Sequence, residues 1–273
     1  MFAAEIIKSD HKIESSHLKR SVALEVFMPE LLAGHETLNL LLLNDGQEAG
    51  ALQIQWLLYD LYASGKMEAV VVVAIKASDE RVREYGVAGF PDYLERGSKA
   101  NAYSLFITEE LLPALRGKIA PNINGKTAFA GFSLGGLSAF DIVYSHPEQF
   151  DLAGVFSGAF WWRKKDLNEG YIEELDRIMH HKIRNSPGKP DVKFWLMTGT
   201  ADETADRNHN FIIDSIDDTI DVIKELVNKG FQRPSDIFYY EMVGGKHEVG
   251  TWAQAFPAFL LWAFPRKITA FFN

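Results

Sequence analysis

An α/β fold with a mostly parallel central sheet is predicted for this 273-residue chain by three observations. Short β-rich runs alternate with longer helical patterns along the sequence, the order expected when helices cover both faces of a parallel sheet. The runs Ala69–Ile75, Thr127–Ala130 and Lys193–Thr198 carry no polar face, as strands buried on both sides do. A glycine-flanked serine follows one of those runs directly and precedes a helical pattern, which places a tight turn at the carboxyl edge of the sheet.

Taken in order, Ser21–Met28 alternates Val22, Leu24 and Val26 with its neighbours and stops at Pro29. It predicts an early antiparallel strand near the sheet edge, with Leu38–Leu43 as its meander partner. The three continuous apolar runs form the sheet centre. Helices are expected at Ala51–Ser64, Asn101–Arg116, Leu134–His146 and Phe211–Lys229, the last ended by Gly230, a favoured residue just past a helix. Asp236–Glu241 supplies the last strand, and an aromatic helix begins near Thr251. Two stretches break the rhythm: Ala77–Ala100, rich in glycine, and Phe160–Pro190, aromatic at its start and basic at its end. Both are expected to be caps or substrate loops, because long connections in compact domains usually carry function. No repeat, low-complexity tract or linker interrupts the chain, so residues 1–273 are expected to form one domain.

Composition narrows the partners. With 47% hydrophobic and 12% aromatic residues, the chain has ample material for a core, which excludes disordered and fibrous classes. The net charge of −9 disfavours nucleic acid, whose affinity comes mainly from Lys and Arg neutralising phosphates. There is no cysteine, and with it go disulfides, thiolate metal sites and cysteine nucleophiles. The stretch Met1 to Arg20 lacks the apolar core of a secretion signal, and no apolar run approaches the ~20 residues that cross a bilayer. A cytoplasmic location, no membrane partner and no cofactor are the resulting expectations; nothing in the sequence bears on oligomeric state.

The chemistry centres on Gly131-Phe132-Ser133-Leu134-Gly135-Gly136. A serine on a strand-to-helix turn has a strained backbone, and side chains beside it would block the turn, so glycines flank it. The turn exposes the hydroxyl and leaves the Leu134 N–H at a helix N-terminus, where an anionic oxygen is favoured. A serine hydroxyl needs a base, and on this architecture an acid and then a histidine should follow it in the chain. Asp202 lies just after the run Lys193–Thr198, with Glu203 and Asp206 as neighbouring alternatives. His247 lies in the Gly244-Gly245-Lys246-His247 turn after the last strand, whereas the other histidines fall outside that position. A second oxyanion donor is assigned to the backbone N–H of Gln47, with Gly46 permitting close approach.

With these residues in place the chain resembles the Putative esterase family of α/β-hydrolases, which includes enterochelin (siderophore) esterases, feruloyl esterases and mycolyltransferases. The resemblance covers nearly the whole chain. It is carried by Leu43-Asn44-Asp45-Gly46-Gln47, Arg81 with Glu84-Tyr85, Glu110-Leu111-Leu112-Pro113, the serine turn, His146-Pro147-Glu148-Gln149-Phe150, Ser157-Gly158 before Trp161-Trp162, and Gly245-Lys246-His247. It implies the α/β-hydrolase fold, with Ser133, Asp202 and His247 as a catalytic triad and the backbone of Gln47 and Leu134 as the oxyanion hole. Asn44 stands where many relatives carry a small or acidic residue.

Other motifs carry less. Gly125-Lys126-Thr127 resembles the end of a phosphate loop, but Ala120 stands where its first glycine belongs and a strand follows, so no nucleotide site is expected. No metal is expected at Asp202, Asp206 and His209, whose spacing matches no ligand set, and Asp214, Asp217, Asp218 and Asp221 form a solvated helix face. Trp161 and Trp162, at the end of a strand-like run, are candidate walls of a substrate pocket, with Trp252 and Tyr85 as weaker candidates and Arg81 as a candidate grip on a substrate anion. The expected activity is hydrolysis of a small-molecule carboxylic ester through an acyl-enzyme. An acyltransferase of the same fold and an inactive, esterase-like binding protein are the alternatives.

Overall fold

The computed structural model describes residues 5–30 and 37–266. Its strands are β1 (Ile6–Ser15), β2 (Arg20–Pro29), β3 (Leu38–Leu43), β4 (Ala69–Ile75), β5 (Thr127–Phe132), β6 (Leu152–Phe156), β7 (Lys193–Ala201) and β8 (Ile237–Lys246). They form one sheet in the order β1-β2-β4-β3-β5-β6-β7-β8. The pairs from β4 to β8 are all parallel, while β1 and β2 form an antiparallel hairpin whose second strand joins β4. A mostly parallel sheet with an antiparallel edge is therefore the observed architecture.

The meander expected between β2 and Leu38–Leu43 does not form. Strand β3 has β4 on one side and β5 on the other, both parallel to it, so no free edge remains and β2 pairs with β4 instead. Strand β1 carries no strand signature in the sequence. Its residues are mostly exposed or half-buried with only Ile6 and Ser15 buried, so it lacks the apolar alternation that marks a strand with one face in the core.

Helix α1 (Ile54–Ala63) bridges β3 and β4, and the short α2 (Arg81–Glu84) lies in the segment that follows. The helix predicted at 101–116 begins as α3 (Ala100–Leu105) and continues through a widened π turn, Phe106–Leu111, α4 (Leu112–Ala114) and a second π turn, Leu115–Ile119. Pro113 falls inside this stretch and cannot donate a helical hydrogen bond. Then come α5 (Leu134–Ser145), α6 (Glu173–Asp176), α7 (Ile178–Asn185), α8 (Asp214–Asn228) and α9 (Val249–Ala263). None of the helices among the described residues is long and apolar enough to cross a membrane.

Successive side chains of a strand point to opposite faces, and the two halves of the core follow that rule. Leu40, Leu42, Val71, Val73, Phe129 and Phe194 pack on one face with Phe140 and Val143 of α5 and Ile183 of α7. Leu41, Leu43, Val70, Val72, Ala130 and Trp195 pack on the other with Leu57 and Leu58 of α1 and Phe256 and Phe259 of α9. Each such large apolar side chain contributes about 1.5–3 kcal/mol by leaving water, which fixes the carboxyl ends of β3, β5, β6, β7 and β8 as one rigid rim.

The two stretches read as caps pack against each other. Trp162 is completely buried, its indole N–H donating to Phe90 O at 3.0 Å. The ring lies over Gly86 and Gly97, where an added Cβ would come within 2.8 Å of it. Both glycines also have positive φ, 140° and 72°, so size and backbone conformation each require glycine there. Tyr93 N–H donates to Arg163 O at 3.1 Å, and the Arg96 guanidinium sits 4.7 Å from the centre of the Trp161 ring.

Candidate active site

Strand pairing delivers the candidate residues to one edge. Phe132 is the register partner of Phe156, so Ser133 and Ser157 leave adjacent strands at the same level, and Ser133 N–H donates to Phe156 O at 2.9 Å. Phe156 pairs with Met197, and Ser157 N–H donates to Met197 O at 2.8 Å. Ala201 pairs with Lys246 beyond a register shift in β7 and β8. Asp202 and His247 are thus the next residues after a paired couple on the rim; no hydrogen bond joins their side chains, and the two Asp202 oxygens accept instead from Ser157 Oγ and Gly199 N–H. Gly199 permits the crossing, because a Cβ there would lie 2.3 Å from Gly245 O.

Ser133 has φ 54° and ψ −121°, a conformation that L-residues avoid and that marks strain at functional turns. A Cβ at Gly131 would stand 2.3 Å from Gly135 O, and one at Gly136 would stand 2.9 Å from Gly131 O, so the strand and the helix meet only because these positions are glycine. The turn leaves Ser133 half-buried. Leu134 opens α5, so its N–H belongs to the first helical turn, whose donors have no partner within the helix.

The Asn44–Gln47 turn lies against this helix. Asn44 N–H continues the β3–β5 ladder to Ala130 O at 2.9 Å. Its side chain donates from Nδ2 to Gly135 O at 2.8 Å and accepts from the Tyr103 hydroxyl at 2.5 Å. A small or acidic residue there could not make both bonds, which gives the Asn44 departure a physical account. Asp45 has φ 58°, and its N–H donates to the Tyr85 hydroxyl at 3.2 Å. Gly46 passes so close to β4 that a Cβ would lie 2.5 Å from Ala74 C. Gln47 then sits in a short 3₁₀ turn, Gly46–Ala49, with its side chain tied to Asp45 Oδ1 and to Ala77 N–H. The turn and the serine helix are therefore locked together through Asn44.

Asp202 is 8% exposed and holds two hydrogen bonds, from Ser157 Oγ to Oδ1 at 3.0 Å and from Gly199 N–H to Oδ2 at 3.1 Å. His247 is exposed and packs edge-on against Trp252, ring centres 5.2 Å apart. Loss of hydration around the ring is the largest influence and lowers its pKa below the ordinary histidine value; the Asp202 carboxylate raises it and the Arg81 cation lowers it. An imidazole neutral at pH 7 is the form that accepts a proton. Glu203, the neighbouring acid considered from sequence, has its pKa raised by burial and by Asp214, and accepts a backbone bond from Ser215. Asp206 is spent inside its own loop, accepting from Asn210 and Phe211 N–H.

The candidate substrate contacts divide. Tyr85 is 1% exposed and Trp162 fully buried, so both belong to the packed interior rather than to a pocket wall; sequence could not separate an aromatic near the rim from one beneath it. Tyr85 instead supports the Asn44–Gln47 turn, with Arg81 stacked 5.1 Å from its ring centre. Trp252 is also buried, and its N–H is committed to Ser157 Oγ at 2.9 Å. Trp161 keeps some exposed surface. Arg81 pairs with Asp45 through Nε and Nη2, with a side chain 28% exposed. Ser157 was named in the sequence only as part of a motif; nothing in its local pattern signals a contact with an acid 45 residues away. A separate cavity of about 650 Å³, lined by Phe90, Tyr144, Ile178 and Pro190 among others, opens at the far end of α5 and is touched by no triad candidate.

A family model described as Putative esterase matches residues 15–263. The chain belongs to this family. A siderophore enterobactin esterase from Emericella nidulans is 30% identical to this esterase-family chain over 90 residues, a match spanning 33% of the chain and 29% of that protein. Among solved structures, the enterobactin esterase from Shigella flexneri superposes with a TM-score of 0.70 at 20% identity, covering 96% of this chain and 61% of that one. A ferulic acid esterase superposes at 0.69 with 17% identity, covering 96% and 99%. Siderophore hydrolase EstA from Aspergillus nidulans superposes at 0.67 with 18% identity, covering 94% and 93%. The chain thus spans under two thirds of the Emericella and Shigella proteins and nearly all of the other two. At these identities the structures establish the shared esterase fold.

Proposed function

We propose that this protein hydrolyses carboxylic esters through an acyl-enzyme, with Ser133 as nucleophile, His247 as base and Asp202 as the acid that orients it. The observation that carries the reading is the rim itself: a strained serine turn, a buried, hydrogen-bonded carboxylate and a histidine follow β5, β7 and β8 at one edge of the sheet. The bond-making step adds Ser133 Oγ to the ester carbonyl carbon as its proton passes to His247. Asp202 stabilises the imidazolium, and the N–H groups of Leu134 and Gln47 hold the oxyanion. Collapse of the tetrahedral adduct expels the alcohol, which takes the proton from His247. Water repeats the sequence on the acyl-enzyme and releases the carboxylic acid. None of these steps needs a cofactor.

The substrate class we favour is an ester whose acid part carries an aromatic group, of the siderophore or feruloyl type. Family membership and the named activities of the relatives support it, as does the partly exposed Trp161. Hydrolysis of a p-nitrophenyl acyl series, methyl ferulate and a catecholamide lactone by wild type and Ser133→Ala tests both levels. The expected result is turnover in wild type, preference for the esters whose acid part carries an aromatic group, and a loss of about 10⁴-fold or more in the variant. Equal turnover by Ser133→Ala would overturn the mechanism, and preference for short aliphatic esters would overturn the substrate class.

A further inference from the structure

The acid Asp202 is held by a contact outside the triad. Ser157 Oγ donates to Asp202 Oδ1 at 3.0 Å and accepts from Trp252 Nε1 at 2.9 Å. An indole N–H only donates, so the direction of this chain is fixed: Trp252 gives to Ser157, and the single Ser157 proton goes on to Asp202. Ser157 is 2% exposed and held in the left-handed region at φ 49°. Trp252 is equally constrained, its ring stacked on Phe132 at 4.9 Å and 13° and edge-on to His247 at 5.2 Å and 83°. One indole therefore touches the residue before Ser133, touches His247, and reaches Asp202 through one hydroxyl.

We infer that Ser157, clamped by Trp252, is a positioning residue that fixes the Asp202 carboxylate and disperses part of its negative charge, so that it sets the proton affinity of His247 through Asp202. The inference rests on the triad proposed above. Linked hydrogen bonds in a buried site strengthen one another, and a carboxylate that shares its charge with two donors attracts an imidazolium less than one that does not. Without the Ser157 hydroxyl, Asp202 retains only the Gly199 N–H, and its less dispersed charge favours the protonated form of His247. The other charged group acting on His247 is Arg81, and Asp202 itself is neighboured by Glu203; neither is altered by the change.

The test is the titration of the His247 ring, followed by nitrogen-15 NMR in wild type, Ser157→Ala, Trp252→Phe and the double variant, with kcat and KM measured on one ester. Trp252→Phe keeps an aromatic ring and removes the N–H along with part of the buried indole, so it carries the test if Ser157→Ala does not fold, with its Tm reporting the lost packing. The expected titration shift in Ser157→Ala is upward by about 0.5–1 unit, smaller in Trp252→Phe, and no larger in the double variant than in Ser157→Ala because both act through one bond. The expected kcat loss is about tenfold with KM within about twofold. A His247 titration that stays in place or moves down overturns the inference, and a merely structural role gives that result together with a lowered Tm. NMR reads this whether or not the protein turns over an ester, so loss of the esterase reading and loss of this one remain distinguishable.

Discussion

Arg81 grips Asp45 with two nitrogens of its guanidinium, Nε to Oδ1 at 2.6 Å and Nη2 to Oδ2 at 2.8 Å, and Asp45 is where the chain turns into the Gly46–Gln47 segment. The helical turn that carries Arg81 is itself tied to the β1–β2 hairpin, because Arg20 Nε donates to Glu84 Oε1 at 2.8 Å. Two ion pairs joined by one helical turn thus connect the β1–β2 hairpin to the proposed oxyanion hole. It places Arg81 in support of the turn, with its charge felt at His247.

Arg81→Gln leaves a carboxylate with 5% side-chain exposure without its cation, holding only the Gln47 side-chain amide. The expected cost is about 2–3 kcal/mol in urea unfolding, below the roughly 3–5 kcal/mol of a fully buried pair because the Arg81 head is partly hydrated. The rate should rise with pH as His247 loses its proton, with the midpoint of this acid limb below the ordinary histidine value of about 6.5 because His247 is depressed. Removing the cation that helps depress it moves the limb of kcat/KM to higher pH. A pH–rate profile of the variant that shifts downward would contradict the arrangement.

Gly46→Ala places a Cβ against the backbone of Ala74 and Ile75, which has nowhere to retreat within the sheet. The expected result is about 1–3 kcal/mol of lost stability and a fall in kcat of about 10²-fold as the Gln47 N–H leaves its place. Circular dichroism melts and steady-state kinetics check the two effects separately.

His180 is fully buried, with Nε2 bonded to the backbone O of Asp218 at 2.9 Å. Burial and the Arg177 cation push its pKa down to about 3. The unfolded chain binds a proton at this residue below about pH 6.5 while the folded chain does not until about pH 3, so stability falls as pH falls across that window, by about 1.4 kcal/mol per pH unit from this group alone. Urea midpoints of wild type should drop between pH 6.5 and 4, and His180→Gln, which can still donate to Asp218 O, should drop less steeply. Parallel slopes would contradict a buried neutral imidazole.

Most of the sheet was legible in sequence because β3, β4 and β5 are buried on every residue, and a strand with two dry faces must be written in apolar residues. The serine turn was legible because its glycines are demanded by backbone contacts within the turn itself. Strand β1 was not, since an edge strand with most residues exposed has no apolar period. Helix α8 starts at Asp214 rather than Phe211 because Asp206 and Asn210 side chains cap backbone N–H groups from 210 to 212 and hold a loop there. The depth of Tyr85 and Trp162, and the Trp252–Ser157–Asp202 chain, depend on residues brought together from distant parts of the sequence. No local pattern records such contacts.

The most direct test of the proposed chemistry is covalent. A fluorophosphonate phosphonylates an activated serine held beside an oxyanion hole, so wild-type protein treated with it should gain one phosphonyl group by intact mass, mapped to Ser133 by peptide mass spectrometry. Ser133→Ala and His247→Ala should gain none under the same conditions. A modification found elsewhere, or undiminished in Ser133→Ala, would contradict the assignment of Ser133 as the nucleophile.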